Sequence, residues 1–226
     1  MHHDERRKTT EREAGSIEWL RETPVSPAFA PAQAARLDGK DMETNQILKI
    51  CGKCYRLIRL LGHGKGGYSW LADCDGSPAV VKQIHHEPCD YYSFGNKIEA
   101  ERNDYERLKA AGIRIPEMLA IDVNAERLVK EYIEGPTIYE LVRDGSSAEP
   151  WLLQVLEMAG KAKAAGMNID YFSTNFVVQA HTDLLYYIDY ECNEYTEEWN
   201  FENWGVRYWS QTPDFLKYTA AHRTEE

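Results

Sequence analysis

The segment Gly62-His63-Gly64-Lys65-Gly66-Gly67 sets glycines between two apolar, β-prone runs, and few folds place so much backbone freedom at a strand end. It follows Ile47, Leu48, Ile50 and then Tyr55-Arg56-Leu57-Ile58-Arg59-Leu60-Leu61. It runs into Tyr68-Ser69-Trp70-Leu71-Ala72, an Asp75-Gly76 turn signal and Ala79-Val80-Val81-Lys82-Gln83-Ile84. The expected elements are one strand entering the loop and two antiparallel strands after it. The loop fits G-x-G-x-x-G, but a dinucleotide fingerprint would open a helix and carry an acid about 20 residues on. A Walker loop would end in Gly-Lys-Ser/Thr, which is missing here. What remains is a glycine-rich hairpin whose amides can approach phosphate oxygens.

Residues 96–112 carry Ile98, Tyr105, Leu108 and Ala111 at helical spacing and stop at Gly112 and Pro116, so a helix follows the third strand. The runs 118–123 and 127–133 read as another strand pair, closed by Gly135-Pro136. The first half is thus expected to be a five-stranded antiparallel sheet with one helix. The second half reads as a short helix over 137–143 and a longer one over 150–165, with Leu152, Val155, Leu156 and Ala159 on one stripe. A hairpin of 176–178 with 184–189 follows. An aromatic tail over 194–218, holding Trp199, Phe201, Trp204, Tyr208, Trp209, Phe215 and Tyr218, is expected to be helical and packed on the long helix. The fold class is α+β.

Charge and cysteine usage narrow the partners. Lys and Arg number 26 against 37 Asp and Glu, a net charge of −11, which repels nucleic-acid backbones and anionic bilayers. No direct nucleic-acid contact and no membrane role are expected; the partner is a small molecule or another protein. No apolar run approaches the ~18 residues of a membrane span. The opening residues, rich in Arg, Glu and Asp, lack a secretory core, and five cysteines at irregular spacing suit a reducing compartment, so the expected location is the cytoplasm. Cys51-Gly52-Lys53-Cys54 is a lone CxxC and reads as plain thiols at a strand start. Residues 1–41, with Pro24, Pro27 and Pro31, read as a disordered extension ahead of a domain that starts near Met42.

The order of polar residues adds a resemblance. From Leu57 to Asn193 the chain resembles the protein-kinase-like superfamily. The resemblance implies a two-lobed fold, with lobes over 42–134 and 135–226, and an ATP- and Mg²⁺-dependent phosphotransferase. It implies phosphate contacts from Gly62, Gly64 and Gly67. Lys82 would sit on the α and β phosphates and pair with Glu101, with Glu99 as the second choice. Glu131 and Ile133 would form the segment that receives adenine. Asp170 and Asn175 keep the D-x-x-x-x-N spacing, Asp170 as the group that takes the acceptor hydroxyl's proton. Asn175 and Asp189 would hold the metal.

Departures from the pattern matter too. Asn168-Ile169-Asp170 lacks the arginine that clamps a phosphorylated loop, Phe172 replaces a lysine, and Asp189-Tyr190-Glu191 is similar to the Asp-x-Glu of choline-kinase-like and aminoglycoside-phosphotransferase-like enzymes. Only 35 residues follow Glu191, as in minimal atypical kinases of the RIO and tRNA-modification-complex type or lipopolysaccharide-core sugar kinases. Lys130 stands where an apolar residue is usual. Two readings stay open, a kinase acting on a small-molecule or protein hydroxyl and a pseudokinase that holds ATP as a scaffold. They divide on Asp170. A carboxylate facing an open cleft beside Asn175 and Asp189 suits the enzyme; one buried against the 171–176 backbone suits the scaffold.

Overall fold

Strand periodicity explains how the sheet is built. β1 (Ile47–Ile50) and β2 (Lys53–Gly64) pair with Ile50 opposite Lys53. The turn between them is Cys51-Gly52, both at positive φ (48° and 83°), which is the backbone of a type I′ hairpin. This turn corrects the expected five strands to six. Cys-Gly is not among the strong hairpin dipeptides, so the apolar run from Ile47 to Leu61 read as one strand. β3 (Gly67–Cys74), β4 (Ser77–Ile84), β5 (Met118–Asp122) and β6 (Arg127–Glu131) complete an antiparallel sheet of order β1-β2-β3-β4-β6-β5. The computed structural model describes residues 39–87 and 96–222, all of which belong to the unit Ala34–Glu226.

β4 is central and buried on both faces. Ala79 and Val81 join Leu48, Ile50, Tyr55, Leu57, Trp70 and Val129 in one core cluster. Ile84 and Leu128 join a second cluster on the opposite face, with Ile98, Tyr105 and Leu108 of the helix α1 (Lys97–Ala110). Asn96 caps α1 by accepting the Glu99 N–H at 3.3 Å. Val80 lies opposite Lys130 and Lys82 opposite Leu128, so these side chains share the α1 face of the sheet.

In the second half, α2 (Ile138–Arg143) begins with a reciprocal capping box between Thr137 and Glu140. The helix α3 (Glu149–Ala164) buries Val155, Met158, Ala159 and Ala162. The buried stripe is rotated from the expected one, leaving Leu156 exposed and Leu152 only part-buried. Two small sheets follow, β7 (Met167–Ile169) with β10 (Cys192–Glu194) and β8 (Phe176–Val178) with β9 (Leu185–Tyr187). The tail forms β10, a 3-10 turn at Gly205–Tyr208 and α4 (Pro213–Ala221) rather than continuous helix. Its ring contacts fall on the 171–176 segment and on Tyr139 of α2 as well as within the tail. Trp209 donates Nε1–H to the Tyr171 carbonyl at 2.9 Å and meets Phe176 and Phe201 edge-on. Aromatic spacing signalled burial but not which surface would receive it.

The architecture is α+β. Gly39–Asp41, within the stretch expected to be disordered, forms a 3-10 turn, and Gly39 lies so close to the Tyr68 ring that a Cβ would sit 2.1 Å from it. Met42 is buried beside it in sequence. The rest of that expectation, residues 1–38, lies outside the described residues. Among the described residues no helix is long and apolar enough to cross a membrane.

The glycines of the β2–β3 hairpin differ in why they are needed. A Cβ on Gly67 would lie 2.3 Å from the Gln83 carbonyl oxygen of β4, whereas one on Gly62 meets nothing within 4 Å. Gly67→Ala is expected to destabilise the fold by about 1–3 kcal/mol, the scale of an overpacked site, and Gly62→Ala by under about 1 kcal/mol. Urea unfolding of the two variants checks this, and equal midpoints would refute it.

Candidate functional site

A cavity of about 940 Å³ opens beneath the β2–β3 hairpin. Gly62, Gly64, Gly67, Lys82, Glu101, Glu131, Ile133, Asp170, Asn175 and Asp189 all line it, so the residues singled out in the sequence converge on one space.

Lys82 organises that space. Its side chain is almost wholly buried, and its ammonium donates to Glu101 and, at 3.2 Å, to Asp189. Burial works against its charge, but Asp189 and Glu101 outweigh burial and hold the lysine's pKa above the usual range. Glu101 rather than Glu99 is the partner, because Glu99 turns outward to pair with Arg102. Glu101 Oε2 is buried without a hydrogen-bond partner among the described residues, and burial pushes this carboxyl's pKa up although Lys82 pulls the other way. For Asp189 burial is outweighed by Lys82 and then Lys130, and its pKa stays below the usual range. Asp189 Oδ1 accepts both the Lys82 bond and the Tyr190 N–H at 2.9 Å; Oδ2 takes no protein hydrogen bond among the described residues.

Asp170 follows β7 and is half-buried. Its Oδ1 accepts the Phe172 N–H at 3.0 Å, which shapes the loop, while the carboxyl still lines the cavity. Burial raises its pKa, partly offset by that bond, and Asp189 adds a further push upward. Asn175 lies at the end of a 3-10 turn, Ser173–Asn175. It donates to the Asp170 carbonyl at 3.4 Å and accepts the Ile188 N–H on its own carbonyl at 2.9 Å. Asp170 thus meets part of each criterion: one oxygen caps its loop, and the half-buried side chain lines the same cavity as Asp189.

Tyr187 joins these segments and was not foreseen. Its fully buried hydroxyl accepts the Asp170 N–H at 3.2 Å and donates to the Glu191 carbonyl at 2.7 Å. In the sequence it looked like one more apolar strand residue. At the opposite end Glu131 receives the Glu117 N–H on Oε2 at 3.2 Å, and Ile133 is buried, its own N–H and C=O making no hydrogen bond among the described residues. Lys97 was also missed. Its ammonium bonds the carbonyls of Lys65, at the hairpin tip, and His85, at 2.9 and 2.7 Å. Beside Asp170 the cavity wall is aromatic: Phe172, Tyr139 and Tyr218, with Phe172 4.6 Å from Tyr218.

Lys130 braces the segment that carries Asp189. It donates to the Ile188 carbonyl and lies 5.0 Å over the Tyr190 ring, thereby holding both neighbours of Asp189. Two buried lysines face two part-buried carboxylates, and burial together with the charge of Lys82 lowers the Lys130 pKa to about 8. The donor set around Asp189, Asn175 and Asp170 is all oxygen, the chemistry that suits a hard divalent cation.

No family model matches the chain, and no curated protein matches it at a significant level. The functional reading therefore rests on the cavity itself.

The Lys130 shift has a signed consequence. An unfolded lysine titrates near about 10.4, above the folded value of about 8, so between these pH values the unfolded chain binds more protons and this group's contribution to stability rises with pH. Wild type should gain stability relative to Lys130→Met as pH rises from about 8 to about 10. Denaturant unfolding at stepped pH reads it, and parallel curves for the two proteins would refute the assignment.

Proposed function

We propose that the chain is a two-lobed, kinase-like phosphotransferase that moves the γ-phosphoryl group of a Mg²⁺-bound nucleoside triphosphate, ATP in the first instance, to a hydroxyl acceptor. One observation carries the reading. Lys82 bonds Glu101 and Asp189, residues 19 and 107 positions away, in a cavity also lined by the glycine hairpin, Asp170 and Asn175. Phosphoryl transfer asks for little covalent work from a protein, only positioning and charge neutralisation, and these residue types supply it.

The roles follow from chemistry. Lys82 offers a buried cation to phosphate oxygens, and the hairpin offers backbone amides. Asp189 and Asn175 would hold Mg²⁺, which when bound supplies charge neutralisation to the transferring group. Asp170 orients the acceptor hydroxyl and takes its proton as the oxygen bonds phosphorus and the bond to the nucleoside diphosphate breaks. A carboxyl raised by burial is better matched to that task than a solvated one. The aromatic wall of Phe172, Tyr139 and Tyr218 would pack against the acceptor.

The second reading, an ATP-holding scaffold, draws on the hairpin tip. A side chain on Gly66 would meet the Lys82 ammonium at 3.2 Å, so the tip covers the lysine that phosphates would need. Binding and turnover separate the readings. Lys82→Ala and Asp189→Ala should each abolish the rise in melting temperature caused by Mg-ATP. Asp170→Asn should keep that rise while lowering transfer, autophosphorylation or ATP hydrolysis by ~10² or more. Equal shifts in wild type and the first two variants would defeat the site assignment. Nucleotide binding with no transfer to sugars, amino sugars, choline or proteins would favour the scaffold.

A further inference from the structure

A second constellation lies on the hairpin; His63 also lines the cavity, but among the described residues none of the three groups bonds Lys82 or its partners. His63 belongs to β2, stands opposite Tyr68 of β3, and stacks on the Tyr68 ring with centroids 4.1 Å apart and planes 7° apart. His85 and Glu87 lie just beyond the end of β4. The ligand-capable atoms of His63, His85 and Glu87 lie within 4.8 Å of one another, and His63 Nε2 is 3.5 Å from Glu87 Oε2. Around tetrahedral zinc, with bonds of about 2.0–2.2 Å, neighbouring ligand atoms are about 3.3 Å apart. The His–Glu pair is already near that spacing.

Orientation is the stronger argument. His85 Nδ1 faces the Glu87 N–H at 3.1 Å, so it is the unprotonated nitrogen, and Nε2 carries the hydrogen that bonds the Gly64 carbonyl at 2.9 Å. A ring whose N–H is held by a backbone carbonyl is the arrangement found behind metal-bound histidine, and the other nitrogen of His85 is met by a single backbone N–H that an ion could displace. Glu87 is held in the same way, its Oε1 accepting the Tyr68 hydroxyl at 2.7 Å. Each of the three groups therefore has a partner that fixes its direction. Two imidazoles and a carboxylate suit zinc or a similar borderline ion rather than magnesium.

We propose that His63, His85 and Glu87 form a binding site for a zinc-class divalent ion, with the position on the exposed side of His63 left to water. The ion replaces the Glu87 N–H at His85 Nδ1 and links β2 to the chain leaving β4. The glycine hairpin is then pinned at its side as well as at its tip. This site does not depend on the phosphotransferase reading, and it is chemically distinct from the oxygen set at Asp189.

Zinc titration of the full chain by calorimetry tests the proposal, with cobalt(II) absorption to report the ligand atoms. Because Cys51 and Cys54 are exposed thiols, the background is Cys51→Ser with Cys54→Ser. One zinc should remain in that background, with cobalt bands of nitrogen and oxygen ligation and no thiolate band. His63→Ala and Glu87→Gln should each weaken that site at least ~10-fold, and Tyr68→Phe by ~10-fold through loss of orientation. His63 is 44% exposed on its side chain, so His63→Ala should keep the metal-free melting temperature. Zinc should also slow amide exchange across residues 62–68 in the background protein but not in His63→Ala. Unchanged affinity in both His63→Ala and Glu87→Gln would overturn the proposal, as would loss of all zinc binding with the two cysteines. Either result leaves His63 and Glu87 as an ion pair only.

Discussion

The buried Lys82 ammonium is the tie on which the arrangement depends. It reaches from the centre of the sheet to Glu101 on α1 and to Asp189 beyond β9, three pieces of chain that share no backbone hydrogen bond among the described residues. A buried charge of this kind is costly unless every partner stays in place. The same requirement that makes the triad a weak source of stability makes it a strong determinant of geometry.

Lys130 shows how the surroundings meet that requirement. Lys130 and Lys82 together face Glu101 and Asp189, and each lysine feels both carboxylates. Its bond to the Ile188 carbonyl and its place over Tyr190 fix the backbone on each side of Asp189. An apolar residue at this point would fill space but leave the segment carrying Asp189 without that restraint. Tyr187 performs a related task for the Asp170 loop, and its hydroxyl satisfies groups on both segments.

Local patterns made much of this legible. Apolar, β-prone runs bounded by turn signals gave β3, β4, β5 and β6, and helical spacing ending at Gly112 gave α1 within two residues. The set Lys82, Glu101, Asp170, Asn175 and Asp189 was picked out through the kinase-like resemblance rather than from any local pattern, and these residues line one cavity. What stayed hidden had no local signature. The Cys51-Gly52 turn uses a non-glycine residue at positive φ, which cysteine adopts only because the strands on either side hold it there. Lys130 and Lys97 are ordinary surface residue types, and their burial depends on carbonyls 58 and 12 positions away. The rotation of the α3 stripe, which buries Val155, Met158, Ala159 and Ala162 and leaves Leu153 and Leu156 exposed, is a choice made by tertiary packing.

The two bonds that α1 sends to its neighbours have a mechanical meaning. Lys97, its first residue, holds the carbonyl of Lys65 at the hairpin tip, and Glu101, about one turn further on, holds Lys82. Both contacts leave the helix from nearly the same side, as residues four apart do. Any roll of α1 about its axis therefore carries the tip and the lysine through the same arc. The helix acts as a crank: a push on its outer surface, far from the cavity, would be delivered to both at once, and neither could respond without the other.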